Sequence, residues 1–343
     1  MDNMGKALII TGAVILAVVA GEIYITSSQS SVTLPPNIVE IEKPLAKYSY
    51  HALRNTVFSG SEITIGKIVK DEEQFASYVF SFIVQDKKLG GLMNVPKKPG
   101  SYPVIIMLRG YVPQEMYAPG VGTSHGGEVL AQNGFITLAP DFFGYGSSDN
   151  PPISSLEDRF LTYVTVVELI QSVPNLNLAL EGESISARYD GSHLGIWGHS
   201  NGGQIALSAL EISGNKYPTV LWAPVTKPFP YSILYYTDDI EDHGKALRKV
   251  IADFEIDYDA EEYSLTNYLD LIQAPIQIHQ GGGDEAVPEQ WSSTFVQTLE
   301  SQEKDVEYFT YPGDDHNFTQ GNWSTVMQRT MEFYTKQFTS ILP

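Results

Sequence analysis

The stretch LGIWGHSNGG at residues 194–203 decides the fold. It contains the pattern Gly-x-Ser-x-Gly in Gly198, Ser200 and Gly202, after a strand-like apolar run and before a helical pattern. A serine on such a tight turn needs glycines two positions to either side, because larger side chains would collide with neighbouring backbone. The pattern predicts that Ser200 is a nucleophile at a helix N-terminus, where the helix dipole stabilises developing negative charge.

Short apolar runs recur along the chain and alternate with helical patterns. The runs occupy residues 104–108, 135–139, 194–197, 219–222, 276–279 and 306–311. Helical periodicity occupies residues 156–173, 204–212, 289–299 and 323–338. Runs of this length, enriched in Ile, Val and aromatic residues, are typical of strands buried on both faces. The alternation predicts an α/β fold with a mostly parallel central sheet and helices on both faces.

Two segments depart from this alternation. Residues 75–85 alternate between apolar and polar and precede a turn at 86–91, which predicts an antiparallel hairpin at one edge of the sheet. Residues 227–263 lie between two predicted strands and are long for a connection. We interpret them as a small helical cap over the carboxyl edge of the sheet. Their acidic residues favour a solvated helix face over a cation site.

An acidic residue and a histidine follow the serine in the order that a catalytic triad requires. Asp284 comes directly after a strand and three glycines, and His316 lies in a loop after the last predicted strand. A carboxylate at Asp284 would hold the imidazole in the tautomer that accepts the Ser200 proton. Glu285 is the nearest rival for this role. The predicted triad is therefore Ser200, Asp284 and His316.

An oxyanion hole needs two backbone N–H groups. One is expected from Asn201, directly after the nucleophile, and the other from Tyr111, in the loop after the first central strand. The remaining histidines lack a ligand spacing such as His-x-x-x-His, so the sequence predicts neither a catalytic metal nor another cofactor.

The bulk properties exclude several classes of protein. The chain has 343 residues, of which 43% are hydrophobic and 18% charged, as in an ordinary globular protein. Its net charge of -20 repels phosphate backbones, so nucleic-acid binding is not expected. The absence of cysteine excludes disulfides, thiolate zinc sites and a cysteine nucleophile. Composition does not indicate an oligomeric state.

The N-terminal residues predict export. An apolar run at 7–21 follows Lys6 and is shorter than the about 20 residues of a membrane span. It fits the hydrophobic region of a signal peptide, or an uncleaved anchor if the segment extends to residue 25. We interpret residues 1–25 as a signal peptide or membrane anchor, 26–45 as a linker, and 46–343 as the folded domain. The protein would be secreted, periplasmic or tethered to a membrane through residues 7–25.

From about residue 75 to 340 the chain resembles the α/β-hydrolase superfamily. It is most similar to catalytic domains of the prolyl oligopeptidase family and to their esterase and dienelactone-hydrolase-like relatives. The resemblance is carried by the motif around Ser200, by Gly283-Asp284 and Asp315-His316, and by the segments 90–110 and 140–146. It implies a serine hydrolase that cleaves an ester or peptide bond without a cofactor.

Two departures from the family pattern concern substrate recognition. The family usually has His-Gly where this chain has Arg109-Gly110, and an arginine here could bind an anionic group. Phe143 stands where the family commonly has an arginine, and the N-terminal region of this sequence is expected to be too short for the β-propeller of a full prolyl oligopeptidase. These features favour ester substrates slightly. A prolyl-oligopeptidase-like aminopeptidase or dipeptidyl peptidase is the alternative, and a non-catalytic binding protein is a weaker one.

Overall fold

One nine-stranded sheet organises the computed structural model, which describes residues 43–238 and 240–339. The strands are β1 (Thr64–Asp71), β2 (Phe75–Val84), β3 (Lys87–Pro96), β4 (Gly100–Leu108), β5 (Ile136–Pro140), β6 (Ala187–His199), β7 (Thr219–Trp222), β8 (Ile276–Gly281) and β9 (Val306–Tyr311). Their order across the sheet is β1-β2-β3-β5-β4-β6-β7-β8-β9. The pairs β1–β2, β2–β3 and β3–β5 are antiparallel, and every other neighbouring pair is parallel.

Helices lie in each connection from β4 to β9, and one more helix precedes β1 and another follows β9. They are α1 (Tyr50–Arg54), α2 (Ser124–Gln132), α3 (Ser155–Ser172), α4 (Leu176–Gly182), α5 (Asn201–Ser213), α6 (Tyr231–Leu234), α7 (Lys245–Asp257), α8 (Glu289–Ser301) and α9 (Trp323–Thr339). The buried side chains of α3 and α5 join one large core on one side of the sheet, and those of α9 join a second core. The predicted α/β architecture with helices on both faces is confirmed.

Burial along the strands follows their place in the sheet. The strands β5, β7 and β8 are buried along their whole length, because helices cover both of their faces. The expectation that the run at 306–311 is buried on both faces is wrong. This run forms β9 at the edge of the sheet, and most of its residues are partly exposed. The strand β1 at the other edge was not predicted, because its lysines break the apolar pattern.

The connection between β7 and β8 is helical. It contains α6, α7 and several short 3-10 turns within residues 235–271. Aromatic rings attach it to α3: the Phe160 ring lies 5.4 Å from the Phe229 ring and 4.9 Å from the Tyr263 ring. Fully buried aromatic side chains contribute strongly to such packing, so this segment is anchored on the domain.

The predicted leader (1–25) and nearly all of the predicted linker (26–45) lie outside the described residues, so both stay predictions. Among the helices that the structure describes, none combines the length and apolar character that crossing a membrane requires.

Candidate active site

Ser200 lies on the turn between β6 and α5. Its backbone has φ 56° and ψ -122°, a conformation that is costly for any residue other than glycine. The Ser200 N–H donates to the Trp222 carbonyl at 2.9 Å, and the Ser200 carbonyl accepts from Val225 N–H at 3.0 Å. These hydrogen bonds to β7 and the residues after it hold the strained turn, so the side chain projects at the carboxyl end of the central strands.

Close backbone contacts explain the glycines of the motif. A Cβ at Gly202 would lie 2.0 Å from the Leu108 carbonyl oxygen, and a Cβ at Gly198 would lie 2.6 Å from the Gly202 carbonyl oxygen. Gly110 is also constrained, though less severely, because its Cβ would lie 2.9 Å from the Ser200 Cβ. The tight packing of β4, β6 and α5 around Ser200 therefore requires glycine at these positions.

We expect Gly202→Ala to destabilise the protein, because the added methyl group meets backbone that cannot move away as a side chain could. Overpacking of this kind costs on the order of 1–3 kcal/mol, and a lower melting temperature in thermal denaturation would show it. The matched control is Gly182→Ala at the end of α4, where an added Cβ meets no atom within 4 Å. A Gly202→Ala protein as stable as the Gly182→Ala protein would contradict the packing account.

The side chains of Asp284 and His316 are joined by a hydrogen bond. Asp284 follows β8 and His316 follows β9, and the His316 Nδ1 lies 2.8 Å from the Asp284 Oδ2. The Asp284 Oδ1 accepts from the N–H groups of Ala286 and Val287, each at 2.8 Å. Burial alone would raise the pKa of Asp284, but the bonds from His316 and these amides outweigh it and lower the pKa below its usual value.

The two neighbouring acidic residues, Glu285 and Asp314, are not bonded to the His316 imidazole. The side chain of Glu285 is exposed. The Asp314 carboxylate accepts from the backbone N–H groups of Gln320 at 2.9 Å and Asn322 at 3.2 Å, so it stabilises the loop that carries His316. The structure therefore brings Asp284, and neither Glu285 nor Asp314, to the imidazole.

His199 connects the His316 loop to the serine turn. Its Nε2 lies 2.9 Å from the His316 carbonyl oxygen, and the two imidazole rings are 4.5 Å apart. Burial, followed by the charge of His316, lowers the pKa of His199 to about 4, so this ring stays neutral and donates to the carbonyl. The sequence does not predict the contact between His199 and His316, because the contact depends on tertiary structure.

The turn that carries Ser200 contacts the His316 loop through His199, the residue directly before the serine. Within the described ranges, no hydrogen bond joins Ser200 Oγ to His316. Catalytic hydrogen bonds are often long in free enzymes and shorten when the substrate binds. The structure thus shows Asp284 bonded to His316 and places the serine on the adjoining turn.

The two predicted oxyanion residues line the same cavity. Tyr111 and Asn201 both face a cavity of about 220 Å³. In the part of the chain that the structure describes, neither backbone N–H donates to a protein acceptor. Two free amides beside Ser200 are what a developing oxyanion requires.

The sequence suggested that Arg109 could bind an anionic group, but in the structure its guanidinium bonds backbone carbonyls. Its guanidinium donates to the Gly110 and Asp141 carbonyls, each at 3.0 Å, and lies 4.1 Å from the centre of the Tyr145 ring. The side chain is buried, with 6% of the residue exposed. It therefore ties the loop that carries Tyr111 to the loop after β5, and its terminal nitrogens already have acceptors.

The chain matches two family models and one curated relative. The model of the prolyl oligopeptidase family matches residues 184–340, and the chlorophyllase model matches residues 80–220. An uncharacterized peptidase, YtmA, from Bacillus subtilis is 27% identical over 247 residues, which is 70% of this chain and 86% of the relative.

Solved structures of peptidases and esterases share the fold. An acylaminoacyl peptidase from Pyrococcus horikoshii has a TM-score of 0.57 at 20% identity, over 77% of this chain and 42% of the peptidase. This chain thus spans less than half the length of that protein. An acetyl xylan esterase from Paenibacillus sp. R4 also has a TM-score of 0.57, at 18% identity, over 82% of this chain and 91% of the esterase.

The two family models together run from β2 to α9, and their boundaries enclose the strained serine turn and the acid–histidine pair. The chain is therefore a serine hydrolase with an α/β-hydrolase fold, and its residues 184–340 are similar to the prolyl oligopeptidase family.

Proposed function

We propose that the protein hydrolyses carboxylic esters through an acyl-enzyme formed on Ser200. The hydrogen bond from Nδ1–H to Asp284 leaves the Nε2 of His316 free to accept the hydroxyl proton. The Ser200 oxygen then attacks the ester carbonyl, and His316 gives the proton to the departing alcohol. A water molecule, deprotonated in turn by His316, releases the acid and restores the serine.

The amides of Tyr111 and Asn201 would bind the negative oxygen of the tetrahedral intermediate. Asn201 is the first residue of α5, so the positive end of the helix dipole adds to its N–H. Arg109 would support this step indirectly, because its bond to the Gly110 carbonyl fixes the peptide that precedes Tyr111.

One observation carries this proposal. A buried carboxylate holds His316 at 2.8 Å, and the loop of His316 contacts the serine turn, which is kept at φ 56°. Two amides near this turn have no protein acceptor among the described residues. A strained backbone persists only where the surrounding structure maintains it, and such residues cluster at active sites.

Two matched panels of substrates test which type of bond the protein hydrolyses. Nitrophenyl esters of increasing acyl length would be compared with aminoacyl nitroanilides at equal concentration. We expect higher kcat/KM on the esters, and we expect Ser200→Ala to lower the turnover of either panel by about 10⁶-fold. Hydrolysis of the anilides alone would reject the preference for esters.

A peptidase is the second candidate, because specific observations favour it. The family model that covers the Asp284 and His316 region describes prolyl oligopeptidases, and the Bacillus relative is called a peptidase. The triad chemistry is the same, since an amine replaces the alcohol as the group that His316 protonates. The nitroanilide panel distinguishes the two candidates.

We also propose that the protein is exported, on the basis of residues 7–25. The apolar run after Lys6 supports this proposal, and it allows either a cleaved signal peptide or a membrane tether. Fractionation of expressing cells, with N-terminal sequencing of the product, would test it. An uncleaved protein found only in the cytoplasm would reject it.

A further inference from the structure

The cavity that Tyr111 and Asn201 line lies beside the proposed oxyanion site. Its walls come from the loops after β4 and β5, from α3 and from the start of α5, and they include Tyr111, Phe142, Tyr145, Asp158, Tyr163 and Asn201. Residues of the Asp284 and His316 loops are absent from this lining. Because His316 must protonate the leaving group, the leaving group lies on its side. The cavity therefore lies where the acyl part of a substrate extends.

Asp158 places a carboxylate in the wall of this cavity. It lies in the first turn of α3, and in the described part of the chain its side chain has neither a hydrogen-bond nor an ion-pair partner. Burial raises the pKa of Asp158, and among the described residues no charge or hydrogen bond contributes to this shift. A partly desolvated carboxylate without a partner is costly, and a ligand that supplies a positive charge would remove that cost.

The rest of the lining suits a cation as well. Four aromatic side chains, Phe142, Phe143, Tyr145 and Tyr163, belong to the lining. Three of these rings already have a cation over one face: Arg109 lies over Phe142 and Tyr145, and Lys87 lies over Phe143. Ring faces attract ammonium groups, most strongly where water is excluded. The net charge of -20 adds a long-range field that draws cations to the protein.

Two arginines also line the cavity and provide the competing interpretation. The terminal nitrogens of Arg109 donate to backbone carbonyls, and the Arg159 Nη2 donates to the Gln204 Oε1 at 2.7 Å. The Nε atoms of both arginines are buried and have no acceptor among the described residues. An anionic group is thus the alternative that an experiment has to distinguish.

We propose that this cavity binds an ammonium group on the acyl part of the substrate, with Asp158 as its counter-ion. This inference rests on the proposed ester hydrolysis. The substrates that we infer are esters of amino-substituted acids.

Three 4-nitrophenyl esters test this inference. The cationic ester carries 4-(trimethylammonio)butyrate, and its neutral isostere carries 5,5-dimethylhexanoate, in which carbon replaces the nitrogen. The anionic ester is the monoester of adipic acid. We expect the wild-type kcat/KM to be at least tenfold higher for the cationic ester than for the neutral one, and lowest for the anionic one.

Asp158→Asn should reduce the ratio of cationic to neutral kcat/KM at least tenfold. The matched control is Glu157→Gln, which removes the same charge from the same helical turn; Glu157 accepts from the Tyr48 hydroxyl and is not part of the cavity lining. This control should keep the wild-type ratio. If Asp158→Asn does not fold, competition in the wild-type protein replaces it: butyltrimethylammonium chloride should inhibit hydrolysis of the neutral ester competitively, and sodium chloride at equal ionic strength should not.

The outcomes separate the two proposals. Hydrolysis of all three esters at similar rates, a preference for the anionic ester, or a ratio that Asp158→Asn leaves unchanged would overturn the ammonium site while ester hydrolysis stands. In the competition experiment, absence of inhibition by the ammonium ion would do the same. Failure to hydrolyse any of the esters would overturn both proposals.

Discussion

Replacing Ser200 by alanine should lower kcat on the best ester substrate by about 10⁶-fold, the loss measured when the nucleophile of another serine hydrolase is removed. The reason is that no other hydroxyl can form the acyl-enzyme at this turn. The free amides of Tyr111 and Asn201 would remain, so a residual rate above that of water is expected. Steady-state kinetics of the purified variant would measure the loss, and a fluorophosphonate probe should label the wild-type protein only.

The matched control for this variant lies in the same helix. Ser213→Ala removes a hydroxyl at the far end of α5 and should leave turnover and labelling at wild-type levels. A loss below tenfold in a clean preparation of Ser200→Ala would reject Ser200 as the nucleophile. Equal labelling of both variants would lead to the same conclusion.

Asp284→Asn should lower kcat by about 10⁴-fold while the fold is preserved. The asparagine keeps the shape of the side chain, but its amide can present an N–H to His316 and favour the wrong tautomer. The lowered pKa of Asp284 means that the wild-type carboxylate is ionised across the neutral range, so the full effect should be seen at pH 7. Parallel measurements of kcat and melting temperature would separate catalysis from stability.

Two further variants serve as comparisons for Asp284. Glu285→Gln changes the exposed neighbour and should have little effect on kcat. Asp314→Asn disturbs the amides of the His316 loop and should act through stability instead. A near-normal rate in Asp284→Asn, together with a large loss in either of the others, would assign the role to that other acid.

The segments that determine the fold could be predicted because the local sequence pattern of each matches the position that it takes in the sheet. Buried parallel strands need continuous apolar runs, and a serine turn packed against Leu108 needs glycine at 202. The acid and the histidine follow strands β8 and β9, and the carboxyl ends of parallel strands meet at one edge of the sheet. Their order in the chain therefore predicted that Asp284 and His316 meet.

Other features could not be predicted because they depend on contacts between distant segments. The partly exposed edge strand β9 has the same apolar run as a central strand, and only its place in the sheet differs. Arg109 suggested an anion site, since the sequence does not show that the Asp141 carbonyl would accept from it. The cavity around Asp158 is formed by four separate segments, so it depends on the tertiary structure. In the sequence, an aspartate at the start of a helix predicts only a favourable interaction with the helix dipole.

The crystal structure of the fluorophosphonate adduct tests the central claim most directly. We predict a bond from phosphorus to Ser200 Oγ, the His316 Nε2 within hydrogen-bond distance of that oxygen, and the phosphonyl oxygen about 2.7–3.1 Å from the amides of Tyr111 and Asn201. An adduct on another residue, or a phosphonyl oxygen directed away from both amides with His316 out of reach, would contradict the account.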